Sequence, residues 1–246
     1  MCRHLAYLGP PVPLSSLLFD AAHGLAHQAW APRDMRGGGT INADGFGAGW
    51  YPAAGGEPIR YRSAMPIWSD AALPGLSASV HSGAVLAAVR SATVGMPVVE
   101  TAAAPFLHDR WLFSHNGVVR GFPGALASLA AALPVEDLLT LDAPTDSAAL
   151  FALVRHQLRA GKTAEEAIAG VVSGVSATSP GSRLNLILTD GERIIATTVG
   201  HSLSVRTTAG SVLVASEPLD DHPGWQPIPD HRLLIATPSD VTLGEL

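Results

Sequence analysis

The sequence predicts a layered α+β domain, and the order of its elements is the main reason. Short apolar runs bounded by glycine and proline come first, helical periodicities follow, and turn-centred antiparallel pairs close the chain, without the strict alternation of strand and helix that a doubly wound parallel sheet requires. A composition of 47% hydrophobic and only 15% charged residues points to a large interior, because charged residues usually make up about a quarter of a soluble chain. At 246 residues such an interior fits a single domain, expected to span residues 2–246.

Residues 2–8 read as a short strand that stops at Gly9-Pro10-Pro11, since proline has no ladder donor. Residues 15–30 read as a helix, and residues 34–42, with Gly37, Gly38 and Gly39 in succession, as a loop. The glycines at 45, 47 and 49 make residues 44–50 a strand closely approached by other backbone. Residues 84–91 and 110–115 are compact apolar runs of the kind buried strands show. Helical patterns cover residues 124–133, 145–160 and 163–173, with Gly161 as a cap between the last two. Residues 184–199 alternate around Asp190-Gly191, a strong hairpin signal, and a second hairpin turns at Ala209-Gly210. The proline-rich residues 220–230 read as a surface loop.

Several function classes lose support at once. The net charge is −6 and the basic residues are scattered singly, so there is no footprint for nucleic acid or an anionic membrane, and a small-molecule partner is expected. The longest uncharged run, residues 71–89, contains Pro74, serines and His81, which argues against a membrane span. The apolar start is interrupted by Pro10, Pro11 and Pro13, so no leader is expected and the location is read as cytoplasmic. His23 and His27 have a metal-like spacing, yet Gly24 stands where a zincin has glutamate and no third ligand is evident, so no metal is expected. Gly45-x-Gly47-x-Gly49 is not a dinucleotide fingerprint, and no phosphate loop or Gly-x-Ser-x-Gly motif occurs, so no cofactor is expected either.

The single cysteine rules out intramolecular disulfides and Cys-based zinc clusters, and its position is informative. Removal of Met1 would place a thiol and a free α-amine on one residue, Cys2. Free α-amines and thiols titrate close together in model peptides, near ~8 and ~8.5, so the amine can take the thiol proton and later protonate a leaving amine. The competing reading is a small buried hydrophobe at a strand start.

Three further motifs suit acyl transfer. Asn116 and Gly117, in Ser114-His115-Asn116-Gly117, can offer a side-chain NH2 and a backbone N–H to a tetrahedral oxyanion, although Asn-Gly alone also reads as a hairpin turn. Arg90 ends an apolar run in Val89-Arg90-Ser91-Ala92-Thr93, where its guanidinium needs a carboxylate or a wet cleft. Asp146, in Thr145-Asp146-Ser147, suits either a helix cap or a substrate ammonium.

Together with Cys2-Arg3-His4, these motifs resemble the class II glutamine amidotransferase family in order and spacing, as do Asp44-Gly45-Phe46-Gly47 and Ala215-Ser216-Glu217-Pro218-Leu219. The resemblance covers the whole chain. It implies a four-layer αββα N-terminal-nucleophile hydrolase sandwich of two antiparallel sheets flanked by helices. It also implies Cys2 as nucleophile, Asn116 and Gly117 as oxyanion hole, Arg90 and Thr93 on the glutamyl carboxylate, and Asp146 on its ammonium. Family members often carry Arg-Trp-Ala-Thr-His-Gly where this chain has Ser91 and Val94, so histidine chemistry from that loop is excluded.

Within the family, the opening ten residues, Arg90 to Gly95, residues 215–219 and residues 225–230 look most like the stand-alone hydrolases of ergothioneine biosynthesis. That likeness implies release of glutamate from γ-glutamyl-hercynylcysteine S-oxide, with water as acceptor. Trp50 and Trp68, with Tyr51 and Trp225 behind them, are candidates to hold the trimethylammonium of the leaving group, against the alternative of core packing. The rival expectations are a glutaminase subunit feeding ammonia to a separate synthase, and a non-catalytic binding domain that kept the fold.

Overall fold

The computed structural model describes residues 2–36 and 41–246; Met1, whose removal the mechanism needs, and the glycines 37–39 of the expected loop lie outside the described residues. The strands are β1 (Arg3–Pro13), β2 (Phe46–Trp50), β3 (Ile59–Ser63), β4 (His81–Val89), β5 (Phe106–His108), β6 (Trp111–Val118), β7 (Arg183–Thr189), β8 (Ile194–Thr198), β9 (Ser204–Thr208), β10 (Ser211–Ala215), β11 (Gln226–Pro227), β12 (Arg232–Ala236) and β13 (Val241–Glu245). The helices are α1 (Leu25–Trp30), α2 (Leu73–Ser79), α3 (Ala127–Ala130), α4 (Val135–Leu139), α5 (Asp146–Arg159) and α6 (Ala164–Thr178). Among the described residues the strands form a 7-stranded sheet, β11-β9-β10-β1-β4-β2-β3, and a 6-stranded sheet, β13-β12-β8-β7-β6-β5. Every pairing is antiparallel.

The period of two along each strand sorts side chains into three cores. Leu5 and Tyr7 of β1, with Phe46, Ala48 and Trp50 of β2, pack beneath α1 and the turn before it. Ala6 and Leu8, on the opposite face of β1, meet Leu112, Ile187 and Ala196 of the second sheet. The outer face of that sheet, through Phe113, Leu184, Leu186 and Leu188, is covered by α5 and α6. Helix, sheet, sheet and helix therefore stack as the αββα sandwich that the resemblance implies.

Both hairpins form where the turns predict them. Other boundaries differ for local reasons. β1 does not stop at Leu8: its register with β4 shifts between Leu8 and Val12, so Gly9, Pro10 and Pro11 bulge out of the ladder where a missing donor costs nothing. The helix expected over residues 15–30 is two pieces, a π-helical turn at Ser16–Asp20 and α1, because the chain folds back at Gly24, where a Cβ would sit 2.9 Å from the Leu18 carbonyl oxygen. The helix over 124–133 is a 3-10 turn, Gly124–Leu126, followed by the short α3. α2, α4, β3, β5 and the β12–β13 hairpin are additions to the sequence reading.

The close approach expected of the glycine-rich strand is real: a Cβ on Gly47 would overlap the Ala104 carbonyl oxygen, and one on Gly49 would lie 2.9 Å from Leu112. Gly47→Ala should therefore destabilise by about 1–3 kcal/mol, as overpacking does. Gly170→Ala, on α6 with nothing within 4 Å of the new Cβ, should stabilise by about 0.5–1 kcal/mol. Urea midpoints of the two variants, moving in opposite directions, check the sheet spacing.

Candidate active site

Cys2 stands one residue before β1, where the alternation puts it with His4 and Ala6 on the face toward the second sheet. It borders a narrow cavity walled by Arg90, Phe106, His115, Ser147 and small residues of β4 and the 102–104 segment. The thiol lies 3.9 Å from the Ser91 carbonyl oxygen. The free volume is only about 20 Å3, room for about one water. Larger hollows lie elsewhere, one of about 200 Å3 between Tyr7 and Arg206, but its polar groups are already engaged, Arg206 by Asp220 and Tyr7 by the Pro10 carbonyl.

The arginine loop is clamped by the strand-start motif that precedes it in sequence. Asp44 Oδ2 accepts from the Ala92 N–H at 2.8 Å, Asp44 N–H donates to the Arg90 carbonyl at 2.9 Å, and Arg90 N–H donates to the Gly45 carbonyl at 2.7 Å. The Arg90 guanidinium is buried and donates to the carbonyls of Pro97 (2.9 Å) and Asp44 (3.4 Å). Among the described residues no carboxylate pairs with it.

Asn116 and Gly117 lie in β6, so the alternative of a hairpin turn is set aside. Gly117 pairs with Leu184, whose N–H points the other way, to the Val199 carbonyl at 2.9 Å. By the alternation of an antiparallel ladder, the Gly117 N–H then points off the sheet on the side of β5, whose pairing reaches only to Phe113. The same open edge carries the Val119 N–H, which donates to Asp146 Oδ2 at 2.9 Å. A Cβ at 117 would overlap the Arg183 carbonyl, so glycine is needed here for packing as well.

Thr145, and not Asp146, caps α5: its hydroxyl accepts from the Ala148 N–H at 3.2 Å. Asp146 is freed from that task and is buried at the first helical position, with Oδ1 accepting from the Ser147 N–H at 2.8 Å. Among the described residues no cation pairs with it. Ser147 joins the site from the same turn, and its hydroxyl lies 3.0 Å from His115 Nδ1. His115 Nε2 is 3.0 Å from the Arg183 carbonyl, which can only accept, so the network assigns the hydrogen to Nε2 and leaves Nδ1 to accept from Ser147.

Behind the thiol, Arg3 is fully buried and its guanidinium donates to the Cys2 carbonyl at 3.1 Å and to the Asp34 carbonyl. Glu217 accepts from the N–H groups of Arg33 and Asp34, both at 2.8 Å, so the segment beside Cys2 is pinned from two sides. The remaining expected residues are placed differently. Thr93 is exposed in the turn after Arg90, and like Asn116, Gly117 and Asp146 it does not line the cavity, whose wall holds only Cys2 and Arg90 of the expected residues. Trp50 is buried with Phe46 and Ala48 under the outer helices, on the sheet face opposite Cys2, and so cannot hold a leaving group beside the thiol. Trp68 is half exposed on a 3-10 turn, also outside the cavity lining. Arg3, His115, Ser147 and Ser216 were not singled out by sequence reasoning, although each sits within a motif that was.

Among the described residues no group of histidine, cysteine and acidic side chains could hold a metal ion, and no helix is long and apolar enough to cross a membrane. The profile of the glutamine amidotransferases class-II matches residues 16–210. A gamma-glutamyl-hercynylcysteine sulfoxide hydrolase of Mycobacterium tuberculosis is 41% identical over 100% of this chain and 97% of its own length. A protein of the same name from Mycolicibacterium smegmatis is 39% identical over the full length of both. Among solved structures, a glutamine aminotransferase class-II domain protein of Silicibacter pomeroyi superposes with a TM-score of 0.67 at 27% identity, covering 99% of each chain. The allosteric regulatory enzyme of purine biosynthesis shares the fold, with a TM-score of 0.72 at 15% identity over 99% of this chain and 49% of that one.

Two buried histidines near the site set an acid limit. Burial, helped by His115, Arg3 and His201, holds His4 well below the ordinary 6.5, and burial with the nearby Arg183 takes His201 down to about 3. The unfolded chain binds these protons first, so stability is full above pH 6.5 and falls as the pH drops toward 3. Denaturation midpoints should decline from about pH 6.5 downward, well above the range where carboxylates titrate, and His201→Gln should flatten part of that slope.

Proposed function

The chain belongs to the class II glutamine amidotransferase family, and from that premise we propose that it is a stand-alone hydrolase of the γ-glutamyl amide of γ-glutamyl-hercynylcysteine S-oxide, serving ergothioneine biosynthesis. The observation that carries this reading is the length of the likeness, since the chain covers 97% or more of relatives bearing that name at 39–41% identity. A reduced, unpaired thiol at the reacting position suits the cytoplasm.

In this reading Cys2, freed of Met1, is the nucleophile. Its α-amine takes the thiol proton as the sulfur bonds to the γ-carbonyl carbon, and the resulting ammonium protonates the departing amine of hercynylcysteine S-oxide as the C–N bond breaks. Water then attacks the thioester, with the same amine as base, and glutamate leaves as the sulfur regains its proton. The Asn116 NH2 and the Gly117 N–H at the open edge of β6 receive the oxyanion in both steps. Arg90, with Thr93 once the loop closes on a substrate, takes the α-carboxylate, and Asp146 takes the α-ammonium. Of the two tryptophans expected to hold the trimethylammonium, Trp68 is the exposed one.

Glutamate release from γ-glutamyl-hercynylcysteine S-oxide, γ-glutamylcysteine and glutamine is the direct assay, and the first should be turned over with the highest kcat/KM. Glutamine turnover that rises only on addition of a partner protein would favour an ammonia-donating subunit instead. Cys2→Ala should abolish release while leaving the melting curve unchanged, and a preparation still carrying Met1 should be inactive. Arg90→Ala and Asp146→Ala should each lower kcat/KM by on the order of tenfold to a hundredfold, the worth of one charged hydrogen bond. Trp68→Ala should raise KM for the hercynyl substrate and leave that for glutamine unchanged.

A further inference from the structure

Ser216 directly follows β10, is fully buried, and has a hydroxyl with an unbalanced set of partners. Two donors reach its oxygen, the His4 N–H at 3.0 Å and Asn116 Nδ2 at 3.3 Å. Its own hydrogen then has no acceptor among the described residues, while at the other end of the same amide the buried Asn116 Oδ1 has no donor. The two ends of a carboxamide are nearly isosteric, and hydrogen-bond balance decides between them. Turning the amide by half a revolution removes both defects together. The Ser216 hydroxyl donates to Oδ1, its lone pair still accepts from His4, and the NH2 moves to the end where Oδ1 found no donor.

We propose that Ser216 is a positioning residue of the hydrolase, fixing the Asn116 carboxamide with its NH2 presented to the oxyanion. The proposal rests on the hydrolytic reading above and extends it. His4 is two residues beyond the nucleophile on β1, and its carbonyl also accepts from the Ser216 N–H at 2.9 Å, so both backbone groups of His4 are committed to this serine. Asn116 belongs to the other sheet. The Ser216 hydroxyl therefore ties the nucleophile's strand to the oxyanion donor across the sandwich, and a second link, His4 Nδ1 to Ser114 Oγ at 3.1 Å, runs beside it. A donor held with no freedom to turn is what stabilising a transient oxyanion requires.

The test compares Ser216→Ala and Ser216→Thr on γ-glutamyl-hercynylcysteine S-oxide. The alanine variant should lose roughly ten- to hundredfold in kcat with KM within about twofold, a large part of the loss seen on deleting an oxyanion donor outright. Iodoacetamide, which needs no oxyanion hole, should alkylate its Cys2 at the unaltered rate. Threonine keeps the hydroxyl and should restore kcat, and Ser216→Ala should cost nothing further in an Asn116→Ala background. An alanine variant within about twofold of the unaltered kcat, an undiminished effect in the Asn116→Ala background, or threonine no better than alanine at equal melting temperature would each overturn the assignment. If the unaltered chain releases no glutamate, the hydrolytic reading fails, and the side-chain amide resonances of Asn116 judge Ser216 alone. Displacement in the alanine variant but not in the threonine variant supports the role, and resonances unmoved in the alanine variant refute it.

Discussion

Face-to-face packing of two sheets with a side-chain period of two is the constraint on which everything else rests. It gives β1 one face for the outer core and one for the inner, so Leu5 and Tyr7 face the helices while Cys2, His4 and Ala6 face the second sheet. Shifting β1 by a single residue would bury the thiol under α1 and turn Arg3 toward the second sheet. The register with β4, from Arg3 opposite Val89 to Leu8 opposite Ala84, is therefore as much a part of the site as the thiol itself.

Most of the inner core is aliphatic, but the end of the sandwich near Cys2 is lined with polar groups. His4, Ser114, Asn116, Asn185 and Ser216 are all buried there. An unpaired group in such a place costs about 1–3 kcal/mol, so a purely structural interior would replace them with methyl groups at little loss. Asn185 shows how thoroughly the patch is otherwise satisfied, since its amide accepts from Val199 and His201 N–H and donates to the His201 and Ser202 carbonyls. His4 Nε2 and Asn116 Oδ1 are the buried side-chain atoms of this group left without a partner among the described residues.

Much of this was legible in the sequence because local chemistry wrote it. Asp190-Gly191 and Ala209-Gly210 specify their turns, and the glycines at 47 and 49 mark the close approach of Ala104 and Leu112. Alternation alone would have told Trp50 apart, since it shares a parity with Phe46 and Ala48 and not with the glycines that face the second sheet. Features made by distant contacts were not legible. Nothing near the helix break at Gly24 announces that the His23 N–H donates to the Leu219 carbonyl at 2.7 Å. Ser216 meets His4 across 212 residues of sequence, and its role exists only in three dimensions.

The charges at the site follow a pattern that separates them from ordinary ion pairs. Many arginines elsewhere find carboxylates, Arg206 with Asp220, Arg193 with Glu165 and Arg33 with Asp221, although Arg183 donates to His201 instead. Arg90 is held only by carbonyl oxygens and Asp146 by N–H donors, so each is oriented without being neutralised among the described residues. Burying a charge in that state is expensive, and satisfaction by neutral dipoles keeps it tolerable in the free protein while leaving most of its field unspent. The γ-glutamyl group of the proposed substrate carries the complementary pair, a carboxylate and an ammonium. In the proposed reading, the energy gained in that pairing is what is available to seat the scissile carbonyl against Cys2.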